Sequence, residues 1–487
     1  MNIRQGVNPF LPSYEYIPDG EPHIFGNRVY LYGSHDKFNG KTFCVNDYVC
    51  WSADINNLSS WEYEGVIFRR KQDPRRPRFS FINTMYAPDV AQGVDGRYYL
   101  YYFLGYTSRI GVAVCDTPAG QFEFLDYVHY PDGTLLGEKG EPLQFDPGVL
   151  VDDDGQVYLY TGFAPKKYPK FLMGKHKPTT QGAMAMKLKS DMVTVDGDIS
   201  YIGATVYNSE GTGFEGHEFF EAASMRKFGK KYYFIYSSIN GHELCYAVSD
   251  KPTEGFEYGG TLVSIGDLGL NGNTTPYNSL GNTHGSLIKI NYKYYVFYHR
   301  QTNRNQFSRQ ACAEEISFKN GKFLQAELTS CGLNGRPLRG IGPYKARIAC
   351  HLYSRKGVRT YGVFKRCKSV YPYFTQSGKD RNHTPNQYIA NFGHGAIAGF
   401  KYFDFDGANQ IIVTIKGNPH GRLIVSETPT GRAVAKIRLT PCKDFTDFYA
   451  PLHIETGKRA LYFYYEGVGK FKFKGFHLQQ VTRGNKF

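Results

Sequence analysis

Tryptophan is nearly missing from this chain: two residues in 487, against 40 tyrosines and 36 phenylalanines. No run of about 18 apolar residues occurs, so no membrane-spanning helix is expected and no membrane partner. Helical periodicity is almost absent, with short stretches such as 250–256 fitting single turns at most. The nine cysteines (Cys44, Cys50, Cys115, Cys245, Cys312, Cys331, Cys350, Cys367, Cys442) are odd in number, scattered and never spaced C-x-x-C. That argues against a disulfide framework or a zinc site and for reduced structural thiols. The opening MNIRQGVNPFLPSYEY lacks the apolar core of a signal peptide, which leads to the expectation of a cytoplasmic protein. Apolar residues at 41% and charged residues at 21% exclude a disordered chain.

What the chain has in abundance is a repeat. Asp19–Asp36, DGEPHIFGNRVYLYGSHD, places a polar residue before a short apolar strand, a Gly-containing turn and a Tyr-rich second strand. The pattern returns in APDVAQGVDGRYYLYYFL (87–104), FDPGVLVDDDGQVYLYTGF (145–163), FEAASMRKFGKKYYFIYSS (220–238) and THGSLIKINYKYYVFYHR (283–300). From the leading polar residue to the second-strand Tyr the count is 11, 10, 12, 12 and 11, with Asp19, Asp89, Asp146, Glu221 and His284 leading. Repeats starting 57 to 75 residues apart, built of short strands that cannot bury both faces alone, predict a five-bladed β-propeller. Two basic insertions, 69–79 and 164–178, are expected as rim loops.

After Glu315 the repeat stops. A linker over 321–344 and then short alternating strands over 345–487 predict a jelly-roll β-sandwich, making the chain all-β throughout. The charge balance shifts at the same place: residues 340–487 carry 24 Lys and Arg against 8 Asp and Glu, while residues 1–339 carry 34 against 36. A basic module of this kind either keeps the protein soluble or meets an acidic polysaccharide. Nucleic acid is not an expected partner.

In a propeller the strand leading each blade lines the axis, so equivalent positions converge at one mouth. Asp19, Asp89, Asp146 and Glu221 would share a pocket facing His284. Like charges held together push carboxyl pKa values apart, which allows a protonated acid beside an ionised base. Two carboxyls on opposite sides of a bond are the requirement of glycoside hydrolysis.

Residues 8–300 resemble the glycoside hydrolase family 43 propellers through all five blades. The resemblance implies that Asp19 is the general base, Glu221 the general acid and Asp146 the carboxylate that tunes and orients the acid. It also implies substrate-binding roles for Asp89, His284 and Arg300, the last against sugar hydroxyls. His284 would stand near a structural Ca²⁺ or Na⁺ at the axis, and no organic cofactor is implied. Tyr86 and Phe220 are candidate stacking walls. The departures are Gly20 after the base, Tyr86 in place of Trp, and Ala223 where Pro is common; none removes a carboxylate. Residues from about 345 to 480 resemble family 6 carbohydrate-binding modules through YIANFGHGAIAGFKYFDF and GVGKFKFKGFHL, but contain no Trp. Sugar binding and a purely structural role therefore both stay open for this part. The expected activity is inverting exo-hydrolysis of arabinose- or xylose-containing oligosaccharides (α-L-arabinofuranosidase, β-xylosidase or both). Alternatives are an endo-arabinanase or galactanase on the same fold, or a sugar-binding protein without catalysis.

Overall fold

The structure, a computed structural model, describes residues 5–76, 84–105, 107–167, 176–361, 370–381 and 386–481. Within these, five antiparallel sheets follow one another in chain order. Blades one to four have four strands each, spanning 21–68, 89–127, 148–202 and 219–264, and blade five has three, spanning 287–316. Each sheet keeps sequence order from the axis outward, so the strand led by the repeat's polar residue is innermost. Parts of both basic insertions, 77–79 and 168–175, lie outside the described residues.

The near-continuous apolar second strands have a direct cause. Blade two's strand Tyr98–Phe103 sends Tyr99, Tyr101 and Phe103 toward blade three and Leu100 and Tyr102 toward blade one. Successive side chains alternate faces, and both faces here meet another sheet. The buried clusters accordingly sit between blades: Val29, Leu31 and Trp51 against Phe297 and Ala311 close the ring from blade five to blade one. Tyr160 and Met225 join blades three and four, and Ile235 and Val296 join four and five. A Cβ on Gly148 would stand 2.3 Å from the Ala223 carbonyl oxygen, so only glycine lets the inner strands of blades three and four approach this closely.

Among the described residues, ring closure uses no strand exchange. A single parallel bridge, Gly20 to Gly285, joins the inner edges of blades one and five. Asn8, ahead of blade one, donates to Ala313 O at 2.9 Å and Glu314 Oε1 at 2.8 Å in blade five.

The C-terminal part is a sandwich of two six-stranded sheets. Its core is a stack of phenylalanines, among them Phe400, Phe463, Phe473 and Phe476. Strands Leu338–Arg339 and Gly342–Lys345, which both begin inside the span expected as linker, are already paired into the two sheets. The eight described cysteines are all unpaired.

Candidate active site

Register fixes depth along the axis. His23 pairs with Tyr30, Ala91 with Tyr99, Leu150 with Tyr158, Arg226 with Tyr233 and Ile288 with Tyr295. Two residues nearer the mouth, Glu21, Asp89, Gly148 and Ser224 occupy equivalent pairs, and Ser286 exchanges backbone hydrogen bonds with Phe297. Asp19 and Asp146 stand two residues beyond that, and His284 leads blade five at the same level.

Asp89 is therefore not a wall of the carboxylate pocket. It lies one layer deeper, about 6.6 Å along the strand at about 3.3 Å per residue. It is fully buried, 2.6 Å from His23 Nε2, and accepts from the Val149 amide at 2.9 Å. The count to Tyr misled because it runs through turns of unequal length, Phe25 to Arg28 in blade one but Gln92 to Tyr98 in blade two.

The mouth layer brings together Asp19, Asp146, Glu221 and His284. Asp19 (φ 57°) and Asp146 (φ 46°) are both left-handed, as is Ala222 (φ 68°) beside Glu221. Such backbone is costly for non-glycine residues and clusters at functional sites. Glu221 itself sits in a bulge, with register breaks on either side of its pairing with Ser237, which re-aims its side chain.

Each carboxyl has its own electrostatic setting. Burial alone would raise Asp19, but Arg309 at 2.9 Å and His299 at 3.3 Å hold it well below the usual carboxylate range. For Glu221 burial and the nearby Asp146 charge act together, against His284, and push it up to about 8. Burial also raises Asp146, opposed by His284 at 3.6 Å. His284 lies between Asp146 and Glu21 (3.4 Å), and these two carboxylates overcome burial to hold its pKa far above normal. Arg226, 2.5 Å from Glu21 Oε2, brings Glu21 down to about 2 against its burial.

Arg300 does not reach this pocket. Alternation along its strand turns His299 toward Asp19 and Arg300 the other way. There its guanidinium stacks 3.8 Å over Phe374 of the sandwich and donates to Ala349 O at 3.3 Å. The arginine at the site is Arg309, nine residues on. Its Nη1 holds Asp19, while Nε and Nη2 grip both oxygens of Asp36 at 2.9 and 3.1 Å. Nothing in the repeat marks Arg309, since it opens a third strand rather than a first. Arg309→Met leaves two buried carboxylates without their shared cation, an expected loss of about 3–5 kcal/mol. Urea unfolding checks this, and an unchanged midpoint would refute the clamp.

Tyr86 and Phe220 are the ends of an aromatic arc. Tyr86 meets Phe145 (5.1 Å), Phe145 meets Phe163 (5.1 Å) and Phe163 meets Phe220 (5.3 Å), all partly exposed. The arc runs from blade two to blade four beside Asp146 and Glu221. Phe145 and Phe163 were legible only as flanks of the third repeat.

Known proteins match this architecture. The profile of the glycosyl hydrolases family 43 matches residues 9–323. A xylosidase/arabinosidase of Thermoclostridium stercorarium is 48% identical over 481 residues, covering 98% of this chain and 99% of its own. Xylosidase/arabinosidase 43A of Humicola insolens is 31% identical over 58% of this chain and 88% of its own. A solved β-xylosidase/α-arabinofuranosidase from a compost microbial metagenome, in complex with xylotriose and in a calcium-free form, superposes with a TM-score of 0.52. It is 25% identical, covering 66% of this chain and 97% of that one. Since the matched segment runs through all five blades and carries the whole carboxylate mouth, the chain belongs to the glycosyl hydrolases of family 43.

Proposed function

We propose that this glycoside hydrolase removes single pentose units, α-L-arabinofuranosyl, β-D-xylosyl or both, from the ends of hemicellulose-derived oligosaccharides, with inversion. The observation that carries the reading is the opposite displacement of two carboxyls at one mouth, Asp19 held ionised and Glu221 held protonated near neutral pH. Asp19 takes a proton from a water attacking the anomeric carbon, and Glu221 gives one to the departing oxygen. Asp146 supplies negative charge that keeps Glu221 protonated, and His284 holds Asp146 in place.

Asp19 and Asp146 are only 4% and 5% exposed, so both carboxyls lie recessed below the surface. Tyr86, Phe145, Phe163 and Phe220, partly exposed and in mutual contact, give the mouth an apolar face for a sugar ring. The names of the Thermoclostridium and Humicola relatives point to the same pair of pentosides.

The axis offers oxygen donors to a hard cation. Glu21 Oε1 and Asp146 Oδ1 are buried without a hydrogen-bond partner, on either side of His284. Ca²⁺ or Na⁺ held by Glu21 and, through water, by a His284 that gives up its proton to make room for the ion would complete its shell with further waters and take over the positive charge of the imidazolium at the floor. The sandwich is read as a module of the family 6 carbohydrate-binding kind following a catalytic propeller over 1–320.

Release of p-nitrophenol from the aryl α-L-arabinofuranoside and β-D-xyloside tests the assignment, with linear arabinan and β-1,3-galactan as comparisons. Turnover of at least one pentoside, with the product anomer inverted by NMR, is expected. Internal cleavage of arabinan, or no turnover of any pentoside, would overturn it.

A further inference from the structure

The sandwich does more than follow the propeller. Its strand Tyr373–Thr375 and the turn 376–381 lie across the seam where blades one and five close the ring. Asn303 N donates to Phe374 O at 2.7 Å, Arg304 Nε to Tyr373 Oη at 2.9 Å and Tyr16 Oη to Gln376 Oε1 at 2.6 Å. The two rim loops under this clasp are tied to each other, Asn303 to Asn39 at 3.2 Å and Asn305 to Gly40 O at 3.0 Å.

One path through the clasp ends on Asp19. Asp380 Oδ1 accepts the Phe38 amide at 2.6 Å, and its Oδ2 lies 3.4 Å from Asn46 Nδ2. Asn46 Nδ2 also donates to Asp36 O at 2.9 Å. Asp36 accepts from the Cys44 amide at 3.0 Å and grips Arg309, and Arg309 holds Asp19. The loop from Asp36 to Asn46 has little regular structure of its own, so its shape rests on such anchors.

We propose that Asp380 of the sandwich is a positioning residue for the catalytic base, fixing the 36–46 loop and through it the Asp36–Arg309 clamp on Asp19. The sandwich is thus part of the hydrolytic machinery in this chain, whether or not it also binds sugar. The inference rests on the reading of Asp19 as the base.

The test uses the full chain and an aryl pentoside. Asp380→Ala is expected to lower kcat about tenfold with KM little changed, because misplacing a catalytic group costs rate rather than affinity. Asp380→Asn keeps an oxygen for the Phe38 amide and is expected to restore most of the rate. In the Asp19→Ala background Asp380→Ala is expected to add no further loss, because both act through one group. A wild-type kcat in Asp380→Ala, or an equal loss with and without Asp19, overturns the proposal. Should the Ala variant not fold, Asp380→Ser carries the same comparison. Full activity in Asp19→Ala alone would instead remove the base assignment and leave the clasp as architecture.

Discussion

Glu221→Gln hydrolyses xylobiose or p-nitrophenyl pentosides at least about 10²–10⁴-fold more slowly than the native enzyme, the usual contribution of a positioned general acid. Glutamine keeps the volume and the hydrogen-bonding reach of the side chain but has no proton to give. The loss shrinks on a dinitrophenyl pentoside, whose leaving group departs without protonation, and that contrast separates an acid from a structural residue. In the native enzyme kcat/KM falls as pH rises through about 8, where burial and Asp146 have placed the Glu221 pKa, and the variant lacks this limb. Stability runs the other way. A carboxyl whose folded pKa lies above its unfolded value of 4.5 binds more proton folded than unfolded, so it lowers stability progressively as pH rises from 4.5 toward about 8. Glu221→Gln removes that liability, and its Tm at pH 8 is expected above that of the native protein. A lower Tm together with an unaltered pH profile would sink the assignment.

The same electrostatics explain which parts of the site could be read from the sequence. Asp19, Asp146, Glu221 and His284 lead inner strands, and a repeat that stacks blades around an axis must bring such leaders together. Depth is harder to read, because one residue of turn shifts every count while the strand register stays fixed. Asp89 shows the consequence: a matching residue type at a near-matching spacing, one layer below the chemistry and bonded to His23. Arg300 and Arg309 differ by the face of a strand and by a loop, and only coordinates tell them apart. Arg309 gains its place from Asp36, 273 residues before it, a partner to which the repeat pattern gives no role. The sandwich was legible as short alternating strands, but its early start at Leu338 was hidden because Leu338–Arg339 and Gly342–Lys345 pair with strands more than 60 residues away. Its hold on the 36–46 loop crosses more than 300 residues and leaves no local trace.

Asp19→Asn is expected to slow turnover by a similar large factor on every pentoside, good leaving group or poor, since no substrate supplies its own base. This is the complement of the Glu221 result, and the pair together assign the two roles. Asp19 is held ionised by Arg309 and His299 against the cost of burial, so as the proposed base it stays competent well into acid solution. The acid limb of kcat/KM therefore lies below the usual carboxylate range. An asparagine there turns an amide or a carbonyl toward Arg309, leaves the cation with Asp36 alone and has no lone pair basic enough to take a proton from water. The expected loss is at least about 10²–10⁴-fold. Binding should survive, because Asp146, Glu221 and the aromatic arc are untouched, so KM or the Kd for xylotriose changes little. Retained hydrolysis in Asp19→Asn, with the product still inverted, would move the base to Asp146 and require the water to approach from blade three instead of blade one.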